Sequence, residues 1–199
     1  MNDVARLGVF GGTFDPPHRG HLFAASAALD AFALDRVLFV PAARPWQKSD
    51  YSNPEDRFQM TVLAAAVHDR FAVSRIELDR SGPTYTADTL MQLRDWHGGD
   101  IRLFFIAGTD VLEKLDTWKK LKSLRDLVEF ICVARPAQAA PARPREAWPK
   151  VHRLDLEGLD ISSTEVRKRI AEGGPVSGVP DQVLAYIGAR NLYRGGADG

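Results

Sequence analysis

The chain has 199 residues, 45% of them hydrophobic, and its 26 lysine and arginine residues balance 26 aspartate and glutamate residues. This length suits one sizeable core, so we expect a single domain over residues 1–199. The balanced charge excludes a global basic field of the kind that binds duplex nucleic acid. The N-terminus lacks a signal-peptide core and aspartates interrupt the longest apolar run, so we expect a cytoplasmic protein that does not span a membrane.

Strand character alternates with helical periodicity along the chain. In the first half we predict strands at residues 6–10, 36–41, 71–76 and 101–107, and helices at about 18–34, 54–68 and 86–96. In the second half we predict one or two short helices within 112–127, strands at 128–134 and 151–156, and helices at 162–172 and 180–189. Prolines punctuate residues 137–150, which we interpret as a loop. Cys132, the only cysteine, is interpreted as an inert buried thiol.

This order predicts an α/β fold: a single Rossmann-like, doubly wound parallel sheet with helices on both faces. Residues 162–199 would form a C-terminal helical part. In such sheets ligands bind beyond the carboxyl ends of the strands. Motifs at those ends are therefore candidates for a functional site.

A glycine- and histidine-rich stretch, residues 8–21, joins the first predicted strand to the first helix. A glycine-rich turn before a helix collects backbone N–H groups and the positive end of the helix dipole, which suits phosphate oxygens. His18 and His21 are three residues apart, so their imidazoles share one helix face. The alternatives are a structural pair and a zinc pair, and zinc would require a third ligand. The glycine spacing of dinucleotide-binding folds and the lysine of P-loops are absent.

A second motif, Ile-Ser-Ser-Thr-Glu-Val-Arg, begins at Ile161. Ser162 and Glu165 have the spacing of a capping box, so a helix begins here. On spacing alone, two interpretations remain open. Arg167 either lies on the solvent face of this helix or joins the hydroxyls and amides of the helix start in holding a triphosphate.

The run from Gly11 to His21, Gly-Gly-Thr-Phe-Asp-Pro-Pro-His-Arg-Gly-His, resembles the signature of nucleotidyltransferases whose phosphate motif is His or Thr, any residue, Gly, His. Within that superfamily, the paired glycines and His18 are similar to those of bacterial nicotinate-nucleotide adenylyltransferases. The second motif resembles the triphosphate-binding signature of the same family. The resemblance implies transfer of the adenylyl group of ATP to nicotinate mononucleotide, with direct in-line attack and release of pyrophosphate.

The resemblance also implies a set of site residues. Catalytic roles would fall on His18, His21, Lys48 and Arg167. ATP would contact Gly11, Thr13, Phe14, His18, His21, Gly108, Asp110, Ile161, Ser162, Ser163 and Arg167. Nicotinate mononucleotide would contact Gly12, Asp15, Lys48, Tyr85, Thr86, Ala87, Trp118 and Arg135.

Several of these residues have a simpler interpretation. Lys48 fits a solvated loop lysine, and Asp110 fits a helix N-cap as well as a ribose ligand. Trp118 fits ordinary packing as well as stacking on a pyridine ring. Arg57 matches a further run of the family and fits a surface residue of its helix equally well. Thr109 departs from the alanine that the family has before this aspartate.

The expected acceptor is an acid rather than its neutral amide, because N–H groups at the helix start near Thr86 favour an anion. The expected metal is Mg²⁺ delivered with ATP, since no carboxylate cluster marks a resident site. Two other functions remain open: the same chemistry on another acceptor such as phosphopantetheine, and a nucleotide-binding regulator without turnover. We expect no nucleic-acid or membrane partner, and a homo-oligomer is left open.

Overall fold

The computed structural model describes residues 5–44, 51–82, 84–98, 100–118, 120–134, 148–157 and 161–194. Its strands are β1 (Arg6–Gly12), β2 (Arg36–Pro41), β3 (Phe71–Val73), β4 (Arg102–Gly108), β5 (Val128–Ala134) and β6 (Val151–Asp155). Its α-helices are α1 (Arg19–Ala31), α2 (Pro54–Ala65), α3 (Thr86–His97), α4 (Thr109–Glu113), α5 (Leu121–Leu124), α6 (Ser163–Ala171) and α7 (Asp181–Ala189). A 3₁₀ turn, Leu115–Thr117, lies between α4 and α5.

The strands form one sheet in the order β3-β2-β1-β4-β5-β6, and every neighbouring pair is parallel. Alternate residues of each strand face opposite sides, so Phe10 packs with α1, α2, α6 and α7 while Val9 packs with α3, α4 and α5. Both faces of the sheet are therefore covered. The predicted doubly wound parallel α/β fold is confirmed.

Local signals explain several boundaries. The side chain of Asn53 accepts the Glu55 N–H at 2.9 Å, and Pro54 occupies the first turn of α2. α3 ends at Gly98, whose φ of 85° is easy only for glycine. Cys132 is fully buried in β5, and burial raises the pKa of its thiol to about 11, which confirms the buried assignment.

Other elements are shorter than the periodicity predicts. β3 ends at Val73 rather than at residue 76, because the Ser74 hydroxyl accepts the Ile76 N–H at 3.2 Å and turns the chain. α1 ends at Ala31 because Ala33 adopts a left-handed conformation with φ 45°. Most of the proline-punctuated segment 137–150 lies outside the described residues. Within the described part of the chain, no helix is long and apolar enough to cross a membrane.

Candidate active site

The strand order changes direction between β1 and β4. From β1 the chain winds outward to β2 and β3, then crosses back to β4 and winds the other way to β6. The two central strands pair in register, with Phe10 opposite Ile106, so Gly12 and Gly108 end them at the same edge. A crevice at such a switch point is the usual ligand site of open α/β sheets. The fold places the histidine motif after β1 and Gly108-Thr109-Asp110 at the end of β4, both at this edge.

The two motif histidines lie against each other at the start of α1. Their rings stack with centroids 3.7 Å apart, which confirms that they share one face. The backbone N–H of His18 donates to Nδ1 of His21 at 3.2 Å, so a neutral His21 carries its proton on Nε2. Phe14 packs edge-on to His21 at 5.1 Å, and its own side chain is buried. The His21 imidazole is thus held in one orientation and can donate a hydrogen bond to an anion.

The glycine pair of the motif lies in a strand, not in the turn that its composition predicts. Gly11 and Gly12 are the last residues of β1, and Gly12 pairs with Pro41. A Cβ atom on Gly11 would lie 3.0 Å from the Phe105 ring, and one on Gly12 would lie 2.8 Å from the Phe14 ring. The glycines are needed here because aromatic rings pack against the strand end. The prediction of a glycine turn is wrong, although the strand end still borders the crevice.

The second motif docks directly on the first. Ser162 caps α6 by accepting the Glu165 N–H at 3.1 Å, which confirms the predicted helix start. The next residue, Ser163, donates its hydroxyl proton to the Pro16 carbonyl oxygen at 2.9 Å. Arg167 donates from Nη1 to the Asp15 carbonyl oxygen at 2.7 Å.

Of the two interpretations left open for Arg167, the solvent-facing one is therefore wrong. Its guanidinium lies half-buried beside the loop that leads to the histidines. Ile161, the first residue of the motif, is also half-buried and packs close to Gly178. Residues more than 140 positions apart along the chain form one polar surface at the carboxyl edge of the sheet.

Arg57 holds the loops of the site together, a role that the sequence left open. It is fully buried in α2, so its interpretation as a surface residue is wrong. Its guanidinium donates to three backbone carbonyl oxygens: those of Thr13 at 2.9 Å, Ser52 at 3.0 Å and Ala43 at 3.3 Å. Burial lowers the pKa of Arg57, and the negative charge of Asp15 opposes that shift. Arg57 therefore ties the motif loop to both ends of the segment between β2 and α2.

Asp15 has internal partners. Its side chain is 2% exposed, with Oδ2 accepting the Ser52 N–H at 3.0 Å and Oδ1 accepting the Tyr193 hydroxyl at 2.6 Å. Burial and the hydrogen bond to Asp15 both raise the pKa of Tyr193. No sequence signal pointed to Tyr193, which lies 178 residues away from Asp15. Contact of Asp15 with nicotinate mononucleotide stays a prediction.

The acceptor side of the predicted site lies at the start of α3. Tyr85 is the N-cap, and its carbonyl oxygen accepts the N–H groups of Asp88 at 2.9 Å and Thr89 at 3.2 Å. The N–H groups of Thr86 and Ala87 precede these and have no acceptor within the helix. Their position agrees with the predicted helix start at residue 86.

Gly108, the last residue of β4, is also the N-cap of α4. Asp110 is the second helical residue and is exposed, so its interpretation as an N-cap is wrong. Trp118 packs edge-on to Phe105 at 5.6 Å and to Phe130 at 6.0 Å, and remains partly exposed. The Trp118 indole can therefore pack against the protein and still offer exposed ring surface to a ligand. Lys48 and Arg135 lie outside the described residues.

The parallel sheet and the two motifs at its carboxyl edge are together those of a nucleotidyltransferase. The family model described as cytidylyltransferase-like matches residues 9–169. Solved structures with the same fold include a Plasmodium falciparum nicotinic acid mononucleotide adenylyltransferase complexed with NaAD, at TM-score 0.79 and 19% identity over 94% of this chain and 97% of that one. A Vibrio parahaemolyticus structure titled a putative nicotinate-nucleotide adenylyltransferase aligns at TM-score 0.66 and 17% identity, covering 96% of each chain.

Curated relatives are more similar in sequence. A protein of Salinispora tropica is 48% identical over 92% of this chain and 99% of its own length. One from Acidothermus cellulolyticus is 45% identical over 96% of this chain and 95% of its own. Both are named "Probable nicotinate-nucleotide adenylyltransferase". The chain therefore belongs to the cytidylyltransferase-like family and, within it, to the nicotinate-nucleotide adenylyltransferases.

Proposed function

We propose that this chain transfers the adenylyl group of ATP to nicotinate mononucleotide, forming nicotinate adenine dinucleotide and pyrophosphate. One observation carries the proposal beyond family membership: the second motif docks on the first. Ser163 and Arg167 bind the backbone of Pro16 and Asp15, immediately before the stacked histidines. Two imidazoles and a guanidinium thus converge where a nucleotide phosphate chain would lie at the β1–β4 switch point.

The proposed reaction needs no enzyme nucleophile. An oxygen of the acceptor 5′-phosphate, already anionic, attacks the α-phosphorus of ATP, and the bond from that phosphorus to pyrophosphate breaks. The protein contributes alignment and charge stabilisation. His18 and His21 would donate to the α-phosphate as charge builds up, while Arg167 and the hydroxyl of Ser162 would hold the outer phosphates. Gly11, Gly108 and Asp110 would border the adenosine, and Lys48 the acceptor phosphate.

Mg²⁺ would arrive with ATP and neutralise charge on its phosphates. In the described residues no group of three or more histidine, cysteine, aspartate or glutamate side chains could hold a metal ion. We therefore assign none of those residues as a metal ligand. Delivery of the metal by the substrate and location in the cytoplasm stay predictions.

Acceptor choice would rest on the start of α3. The N–H groups of Thr86 and Ala87 stand at the positive end of the helix dipole, where a carboxylate is favoured over a neutral carboxamide. Trp118 would stack on the pyridine ring with its exposed surface, while Phe105 and Phe130 support its edge. The expected acceptor is therefore the acid, nicotinate mononucleotide, rather than nicotinamide mononucleotide.

The test is pyrophosphate release from Mg-ATP with nicotinate mononucleotide, nicotinamide mononucleotide and phosphopantetheine in parallel. We expect kcat/KM for the acid to exceed that for the amide by about a hundredfold, since a site built for an anion leaves its N–H groups poorly paired by the amide. Comparable rates on acid and amide would contradict the electrostatic argument. Turnover of phosphopantetheine would show that the chain carries out the same chemistry on another acceptor. ATP binding without turnover of any acceptor would favour a regulator.

A further inference from the structure

The C-terminal part of the chain holds the motif loop on both sides of His18. Before this histidine, the second motif binds the backbone carbonyl oxygens of Asp15 and Pro16. After it, the carbonyl oxygen of Gly178 accepts the backbone N–H of Arg19, the first residue of α1, at 2.8 Å. The segment that carries the histidine is therefore bound from one distant part of the sequence.

The same part of the chain also reaches the side chain of Asp15. The Tyr193 hydroxyl donates to Oδ1 at 2.6 Å, and the Ser52 N–H donates to Oδ2 at 3.0 Å. A short hydrogen bond of this kind, from a hydroxyl to a carboxylate, is among the stronger ones in proteins. Asp15 is 2% exposed, so water does not readily replace the hydroxyl. Removing it would leave a buried carboxylate oxygen without its donor.

The turn after α7 gives Tyr193 its direction. Asn191 and Tyr193 both adopt left-handed conformations, with φ of 51° and 62°, which are uncommon for residues other than glycine. The Tyr193 hydroxyl oxygen also lies 3.7 Å from the sulfur of Met60 in α2. The chain thus turns back after its last helix and brings one hydroxyl to Asp15.

The loop that Tyr193 contacts includes a strained residue. Phe14, directly before Asp15, is buried and has a φ of 51°. A large side chain in this conformation costs free energy and persists only where the surroundings fix it. The Phe14 ring packs edge-on to His21 at 5.1 Å, and His21 stacks on His18. A shift of Asp15 would therefore pass through Phe14 to both imidazoles.

We propose that Tyr193 is a positioning residue for the two motif histidines. By fixing the Asp15 carboxylate it fixes the turn at Phe14, and with it the orientation of the imidazoles that would donate to the α-phosphate. This inference rests on the proposed function. Tyr193 acts through Asp15 rather than by touching either substrate.

The test is steady-state kinetics on the full chain with Mg-ATP and nicotinate mononucleotide, comparing the native enzyme with Tyr193→Phe, which removes only the hydroxyl. We expect kcat to fall about tenfold, since a misplacement of about 1 Å can cost about a hundredfold and the backbone contacts to the loop remain. Both KM values should stay within about twofold, because the histidines act mainly as charge builds up in the transition state.

The matched control is Tyr186→Phe. Tyr186, on α7, donates its hydroxyl proton to the buried carboxylate of Asp56 at 2.8 Å, and Asp56 lies in α2 rather than in the motif loop. Each variant loses one hydrogen bond from a tyrosine to a buried aspartate. The midpoint of thermal unfolding should therefore fall by a similar amount in both, on the order of 5 °C. Only Tyr193→Phe should lose turnover.

The kinetics are measured well below both midpoints, so that all the enzymes are folded. A merely structural role of Tyr193 would lower stability and leave kcat of the folded enzyme native. A kcat for Tyr193→Phe within about twofold of native would overturn the proposal, as would an equal fall in Tyr186→Phe. If Tyr193→Phe does not fold, Asp15→Asn is compared with Asp56→Asn in the same way, since each neutralises the acceptor of one of these hydrogen bonds.

The native enzyme separates this inference from the proposed function. If native protein fails to release pyrophosphate with nicotinate mononucleotide, the proposed function is wrong, and the inference is wrong with it. If the native protein turns over this acceptor while Tyr193→Phe keeps its native kcat, only the positioning role is wrong.

Discussion

Replacing the buried guanidinium of Arg57 should destabilise the protein more than any exposed arginine would. Arg57→Met keeps the length and most of the volume of the side chain but removes five N–H donors. Three backbone carbonyl oxygens, of Thr13, Ala43 and Ser52, lose their donor. Asp15 also loses the positive charge that compensates its buried carboxylate. These groups belong to the loops that form the site.

The expected loss follows from those contacts. A hydrogen bond involving a charged group contributes roughly 1.5–3 kcal/mol, so three bonds set an upper limit of about 5–9 kcal/mol. The net loss is smaller than this limit, because the variant no longer has to desolvate a guanidinium and because water can enter to hydrogen-bond the exposed carbonyl oxygens. Removing one partner of a buried charged pair typically costs about 3–5 kcal/mol. We expect a loss of about 3–5 kcal/mol, which lowers the midpoint of thermal unfolding by on the order of 10 °C for a chain of this size.

The assay is urea unfolding at neutral pH, with calorimetry for the thermal midpoint. Arg75→Met is the matched control, because Arg75 is 41% exposed and its ion pair with Glu55 lies at the surface. The control should change stability little. A loss for Arg57→Met no larger than that of Arg75→Met would refute the reasoning that these buried contacts hold the site loops together.

Two further predictions concern catalysis and pH. His21→Ala should lower kcat by about a hundredfold or more, while circular dichroism and the thermal midpoint stay near native, because His21 is a half-buried residue at a helix start; unfolding or near-normal turnover would contradict this. Burial opposes ionisation of Glu129, but hydrogen bonds from His152 and Arg102 and the charge of Lys150 outweigh it and lower its pKa from 4.5 to about 2. The resulting stability is present above pH 4.5 and lost as the pH falls toward 2. After allowance for solvent screening it amounts to about 1–2 kcal/mol, measured as the difference in unfolding free energy between native protein and Glu129→Gln. A difference that does not change with pH would exclude this linkage.

Much of the fold could be predicted from the sequence because its signals are local. Apolar periodicity located six strands and the main helices, and the Asn53-Pro54 and Ser162 caps placed two helix starts within a residue. The histidine spacing predicted rings on one face, and they stack. Each of these signals depends on residues within about one or two helical turns, so no knowledge of the tertiary structure is needed.

The contacts of the buried polar groups were decided by the tertiary structure alone. The sequence around Arg57 is compatible with an exposed position on its helix. The fold buries Arg57 because the motif loop and the segment after β2 both pack against it. Arg167 binds the Asp15 carbonyl across 152 residues, and Tyr193 binds the Asp15 carboxylate across 178. A buried polar group needs a hydrogen-bond partner, and that partner can lie anywhere along the chain. Local sequence patterns do not indicate which distant residue it is. The sequence by itself therefore determined the elements and the reacting motif, while the packing of distant segments determined which side chains hold that motif in place.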